Sequence, residues 1–227
     1  MAISFKGAHF PPEVILMGVR WYLAYPLSTR HVEELMEERG VKVDHATINR
    51  WVIKYSALLE DAFQRRKRPV GMSWRLDETY IKVKGVWHYL YRAVDKDGKT
   101  IDFLLTEHRD ESAAKRFLVK AIRRHGGVPE KITIDGSAAN EAAIKSYNEA
   151  HGTAIIIRKR KYLNNMVEQD HRAVKRITRP MLGFKTFAAA QATLTGIELL
   201  HMLRKAQLRG GKEASRSVAE QFYALAV

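Results

Sequence analysis

SWRLDETYIKV, residues 73–83, is the stretch that decides the fold. Trp74 and Leu76 fall on one side of its alternation, Arg75 and Asp77 on the other, and its Trp, Tyr, Ile and Val content favours a strand. Lys84-Gly85 is a turn signal, and VWHYLYRAV (86–94) is a second strand. Asp95-Lys96-Asp97-Gly98 turns the chain again into a third, KTIDFLLT (99–106). Turns this tight predict a three-stranded antiparallel meander. After it, Asp110 caps a helix running to about Arg124, closed by Gly126-Gly127, and KITID (131–135) is a short apolar strand. Residues 138–150 form a helix closed by Gly152, and 154–157 a fifth strand. Asn164 or Asn165 then caps a helix to about Arg179, Pro180 interrupts it, and Phe184 to Arg209 is a mostly helical end. The order βββαβαβα predicts an α/β fold, a mixed sheet covered on both faces.

The N-terminal third has a different period. Pro11-Pro12-Glu13 opens a helix that Pro26 stops. Ser28 caps a second helix over Thr29–Arg39, with Val32, Leu35 and Met36 as its buried stripe and Gly40 as its left-handed end. Asp44 caps a third, with Ile48, Trp51, Val52 and Tyr55 on one face. Two short helices joined through a glycine match the helix-turn-helix pattern, whose second helix enters the major groove. Its first residues, His45, Thr47, Asn49 and Arg50, are then the candidate base-edge contacts. An ordinary three-helix bundle has the same pattern. Residues 59–70, which contain Arg65-Arg66-Lys67-Arg68-Pro69, are expected to be a basic linker.

The 227 residues carry 39 Lys+Arg against 25 Asp+Glu, a formal charge of +14, which points to a polyanionic partner. Residues 1–70 contribute +3, 71–150 contribute +2 and 151–227 contribute +9. Arg158, Lys159, Arg160 and Lys161 form a run, and Arg172, Lys175, Arg176 and Arg179 follow at helical spacing, a pattern expected of a phosphate-binding surface. The chain has no cysteine, which excludes disulfides, Cys-ligated zinc, Fe–S clusters and thiol nucleophiles. The N-terminus lacks a secretory pattern, no apolar run approaches the ~20 residues of a spanning helix, and no P-loop is present. The expected setting is cytoplasmic, with no membrane partner.

Three carboxylates stand out by context. Asp77 lies mid-strand, Asp135 ends the fourth strand, and Glu168 sits early in a helix within the basic region. Taken singly, each has a structural explanation: an exposed strand residue, a loop cap, a partner of the helix dipole. Topology adds weight. With the first strand central and the fourth beside it, Asp77 and Asp135 are neighbours, and a helix crossing that edge brings Glu168 within reach. Converging carboxylates repel one another unless a hard divalent cation sits between them. Two such ions activate an attacking oxygen and stabilise a leaving oxygen in phosphodiester displacement.

The string from Trp74 to Val83 with Gly85, Trp87, Tyr89–Asp95, Ile134-Asp135-Gly136-Ser137 and Lys161–His171 resembles the DDE transposases of bacterial insertion sequences, most closely family six. The likeness continues through Lys175, Leu182–Lys185 and Gly196-Ile197-Glu198, from about Phe5 to Gln207. It implies an RNase H-like catalytic core (71–180) behind a helix-turn-helix domain (1–58), with 181–227 completing the core or mediating oligomerisation. It also implies Asp77, Asp135 and Glu168 as catalytic ligands of two Mg²⁺ ions, with Mn²⁺ as substitute. The implied partners are double-stranded DNA, both terminal inverted repeats and target, and further copies of the chain in a dimer or larger synaptic complex on the bacterial nucleoid. The implied chemistry is nicking at the element's ends and transfer of the freed 3′-OH strand.

Other candidates have plainer readings. His171, three residues after Glu168, is read as supporting a ligand or touching DNA phosphate, and Ser137 as a helix N-cap. Trp21, Trp51, Trp74 and Trp87 are assigned to the core, and Leu194, Ile197, Leu199, Leu200 and Leu203 to the core or an interface. The competing functions are a sequence-specific DNA-binding regulator, including an inactive transposase-derived binding protein, and a nuclease that cuts without joining.

Overall fold

The alternation of residues 73–83 becomes a long strand, β1 (Ser73–Val83), whose two faces meet different surroundings. In the computed structural model, which describes residues 3–210 and 216–227, β1 pairs antiparallel with β2 (Val86–Asp95), and β2 with β3 (Thr100–Thr106). Lys84 and Gly85 take φ of +49° and +79°, the tight turn whose twist suits a hairpin. On its other edge β1 runs parallel to β4 (Lys131–Ile134), and β4 to β5 (Ile156–Lys159), so the sheet order is β3-β2-β1-β4-β5. The meander is therefore present, and β1 lies centrally with β4 beside it.

The helices are α1 (Pro12–Ala24), α2 (Thr29–Glu37), α3 (His45–Gln64), α4 (Glu111–His125), α5 (Ala138–His151), α6 (Lys161–Thr178), α7 (Phe187–Arg204) and α8 (Val218–Tyr223), with a 3₁₀ turn at Arg179–Met181. They divide between two units, residues 69–172 and residues 1–68 with 173–227.

In the first unit the even face of β1 is the core face. Trp74 and Leu76 pack with Tyr91, Ile132 and Ile134 of the sheet, Phe117 and Leu118 of α4, and Ile144 of α5. Each such fully buried large side chain contributes ~1.5–3 kcal/mol. The odd face is crossed by α6. Arg75 Nε donates to Leu163 O at 3.1 Å, and the buried Asn164 amide donates to Leu76 O at 3.1 Å. Asn164 is therefore an interior residue of α6, not its cap, because its amide is drawn to a strand carbonyl. The fifth strand lies two residues later than 154–157 predicts.

The second unit is helical. Ser28 caps α2 with a reciprocal bond to His31, and Asp44 caps α3 by accepting from Ala46 N and Thr47 N. Helix α3 runs on through Gln64, with Leu59, Ala62 and Phe63 buried, so the expected linker 59–70 is helix for its first half. Its apolar side persists because α7 packs along it. The C-terminal segment 181–227 thus belongs with the N-terminal helices, and Leu194, Ile197, Leu199, Leu200 and Leu203 are buried. Gly196 marks the closest approach of α7 to α1, since a Cβ there would overlap the Leu23 side chain.

Gly196→Ala tests that approach. Overpacking costs about 1–3 kcal/mol and the gain in helix propensity returns about 1 kcal/mol. A net loss near ~1 kcal/mol is expected in urea unfolding; a stabilised variant would show that the contact gives way freely.

Candidate active site

Asp77 emerges on the odd face of β1 just beyond the residues that pair with β4. The register is Ser73 beside Lys131, Trp74 beside Ile132 and Arg75 beside Thr133. Continued by two residues, it sets Asp77 abreast of Asp135 on neighbouring strands ~4.8 Å apart. Asp135 is exposed at the end of β4, and its Oδ1 accepts from Ser137 N at 3.0 Å. Ser137 in turn caps α5, the role expected of it.

Helix α6 spans the same face. Asn164 holds one of its turns to Leu76, and His171, two turns on, lies against Asp77 with Nε2 3.1 Å from Oδ2. Glu168 falls between these two anchors, four residues after Asn164 and three before His171, exposed at the edge of the face that meets β1. Among the described residues no three His, Asp or Glu side chains come close enough together to hold a metal ion.

Behind the front row lies a buried cation that the sequence reading missed. Arg92 stands opposite Asp77 in the β1–β2 register and is fully buried. Its Nη2 donates to Asp170 Oδ2 at 2.7 Å, and its Nη1 lies 3.3 Å from His171 Nδ1. A guanidinium only donates, so His171 Nδ1 accepts and the ring proton sits on Nε2, which donates to Asp77. One oxygen of Asp77 thereby accepts a hydrogen bond from the ring. An Arg inside the apolar run VWHYLYRAV was the available signal, since a buried guanidinium requires partners.

The even face carries a second charged group. Glu78 is buried and paired with Arg109, and it accepts from Asn140 Nδ2 at 3.0 Å. Burial pushes its carboxyl above the usual range, against the pull of Asn140 and Arg109, and the Asp77 charge adds to the rise. Adjacent carboxylates on opposite faces of one strand thus have different tasks.

The expected DNA contacts are scattered and partly occupied. His45 Nδ1 meets Glu33 at 3.1 Å, while Thr47 and Arg50 bond locally around Asp44, and Asn49 is half-buried. Arg158 is half-buried on β5, Lys159 pairs with Glu141 at 2.6 Å, and Arg160 is exposed. Lys161 opens α6, and its side chain lies outside the described residues. Arg172 and Arg176 are exposed on α6 and Lys175 is half-buried. No helix among the described residues is long and apolar enough to cross a membrane.

A five-stranded sheet of this order, helix-covered on both faces, defines the RNase H-like, integrase-type class of polynucleotidyl transferases. A family described as a DDE domain matches residues 71–207. The transposase of the insertion-sequence-like element IS431mec of Staphylococcus aureus is 38% identical over 213 residues, 90% of this chain and 90% of that protein. The transposase of insertion sequence IS257 in transposon Tn4003, also of S. aureus, is 38% identical over the same span and shares. The chain belongs to the DDE transposases of insertion sequences, in family six. The magnesium-bound catalytic core domain of HTLV-2 integrase is 16% identical, with a TM-score of 0.46 over 59% of this chain and 88% of that one.

The buried pair can be tested directly. Arg92→Met strands Asp170 and is expected to cost roughly 3–5 kcal/mol in chemical denaturation. Adding Asp170→Leu should recover part of the loss; additive losses would show that the two are not coupled.

Proposed function

We propose that the chain binds the terminal inverted repeats of its element, nicks the ends and joins the freed 3′-OH strands to target DNA, with Asp77, Asp135 and Glu168 as the reacting carboxylates. The carrying observation is the register that sets Asp77 abreast of Asp135, with α6 anchored across them at Asn164 and His171. Nicking adds a water oxygen to the phosphorus at the transposon end, breaks the bond to the 3′ oxygen and leaves a 3′-OH. Joining repeats the displacement with that 3′-OH on a target phosphodiester, releasing a target 3′-OH.

An all-carboxylate donor set has the chemistry for a hard divalent ion, Mg²⁺ with Mn²⁺ as substitute, and these three would hold it once drawn closer together than they stand here. When bound there, two such ions supply activation of the attacking oxygen and charge relief at the leaving oxygen. The chain's own part is to hold the ligands. His171 keeps the Asp77 carboxylate turned by one hydrogen bond, and Arg92 keeps His171 in the required tautomer. Ser137 N holds Asp135 in the same way.

The helices α2 and α3 supply end recognition, with His45, Thr47, Asn49 and Arg50 at the start of α3. The exposed Arg160, Arg172 and Arg176 and the nearby Arg158, Lys159, Lys161 and Lys175 add phosphate contacts. Two ends must be held at once, so the active form is a dimer or larger assembly, working on the bacterial nucleoid in the cytoplasm.

The test is strand transfer from a pre-nicked end into supercoiled target with Mg²⁺. Asp135→Asn should abolish joining and keep end binding. Retained binding with no joining by the wild type would favour the DNA-binding regulator. Cutting by the wild type without joining would favour a nuclease. A second prediction concerns His171. His171→Leu should lower joining and Mn²⁺ affinity by about 10–100-fold, as loss of a ligand's supporting bond does. His171→Gln, which keeps a donor near the Nε2 position, should lose much less. Equal losses would remove the positioning role.

A further inference from the structure

Past Tyr80 and Tyr89 the hairpin of β1 and β2 continues as a two-stranded ribbon. Pairing of β1 with β4 stops at Arg75, and pairing of β2 with β3 begins at Tyr89. The odd side chains of the ribbon, Ile81 and Val83, are buried. The even face is open. Tyr80 and Trp87 are 50% and 56% exposed, unusual for large rings in a strand. The rings are contiguous: Tyr80 lies 5.4 Å from Tyr89 and 6.2 Å from Trp87 between centroids. Lys82 Nζ stands 5.8 Å from the Trp87 ring. Trp87 therefore does not join the core to which its strand position assigned it.

Cations border these rings. Lys82 is exposed among them, and Arg109 reaches Glu78, two residues before Tyr80 on the same face. Lys84 forms the tip at a positive φ, where Asn, Asp or Gly is favoured. The turn thus carries a charge at conformational cost. Open aromatic faces with basic neighbours match a polyanion with exposed ring faces of its own. Bases in duplex DNA are already stacked, so unpaired bases fit best. The platform begins three residues from Asp77, ~10 Å along the strand, on the opposite face of the sheet.

We propose that the even face of the β1–β2 ribbon, the face opposite Asp77, is a stacking platform for unpaired bases of a DNA strand that the chain holds. This rests on the transposase reading for the DNA strand, and its binding test does not need the chemistry to work. The probes are oligo-dT, an abasic oligonucleotide of equal length and a duplex of equal length, offered to the full chain. Oligo-dT and the abasic strand carry equal phosphate charge and differ only in bases. Wild type should bind oligo-dT about tenfold more tightly than the abasic strand. Trp87→Ala or Tyr80→Ala should erase that difference and leave duplex affinity unchanged. The fluorescence of Trp87 should be quenched by oligo-dT and not by the abasic strand. Equal wild-type affinities for the two strands would overturn the proposal. So would a Trp87→Ala protein that keeps the preference and loses self-association in sedimentation, because the face would then be a contact between copies. A preference for bases in a wild type that never joins DNA would support the platform and count against the transposase reading alone.

Discussion

Arg92 is a full positive charge without solvent, and such a charge is tolerated only when its donors are used. It stands across from Asp77 on the neighbouring strand, so satisfying it requires acceptors from the element lying on that face. Helix α6 supplies them as Asp170 and His171. The same two bonds fix how far along β1 the helix sits and which way it is turned. Glu168 follows by helical geometry, and Asp77 receives its hydrogen bond from the ring that Arg92 has oriented. Much of the site's geometry is therefore set by one requirement of the interior, made by a residue that itself stands behind Asp77.

The strand β1 separates two demands that would conflict on one face. A carboxylate that is to hold a metal, the task proposed for Asp77, must keep an oxygen available, and carboxylates that stabilise must use theirs. Alternation gives Asp77 the odd face with one hydrogen bond, and Glu78 the even face with Arg109 and Asn140. The Glu78 network also ties β1 to α5 through Asn140, and α5 begins at the cap whose residue holds Asp135. Both carboxylate-bearing strands are thus braced from the core side.

What was legible in the sequence was local. Period-two alternation exposed β1, and Ser28, Asp44, Asp110 and Ser137 marked helix starts through side-chain bonds that need only nearby residues. Asp77 and Asp135 were legible as candidates because strand order follows from tight turns and a short apolar strand. What escaped depends on distant partners. Asn164 has the chemistry of a cap, yet a strand carbonyl claims its amide. Trp87 has the alternation of a core residue, and periodicity does not say where the covering helices end. Residues 59–64 read as a linker because the apolar cover that keeps them helical comes from α7, far along the chain.

The charge excess needs the same correction. A formal +14 counts every cation as available, and several are engaged within the protein. Arg92 serves Asp170, Lys120 serves Asp102, Arg109 serves Glu78, and Lys159 serves Glu141. Two of these pairs sit on carboxylates whose side chains are at most 3% exposed, where exchange with a phosphate would leave an unpaired buried charge. The pair on Glu141 is half-exposed at its lysine, and such a pair is worth little in water, so breaking it to release Lys159 costs little. Counterion release counts only cations that reach phosphate. On the proposed DNA-binding reading, the electrostatic share of affinity is then expected from the exposed members of the C-terminal basic set and not from net charge. This is why a run such as Arg158 to Lys161 has to be resolved residue by residue before its charge is assigned to DNA.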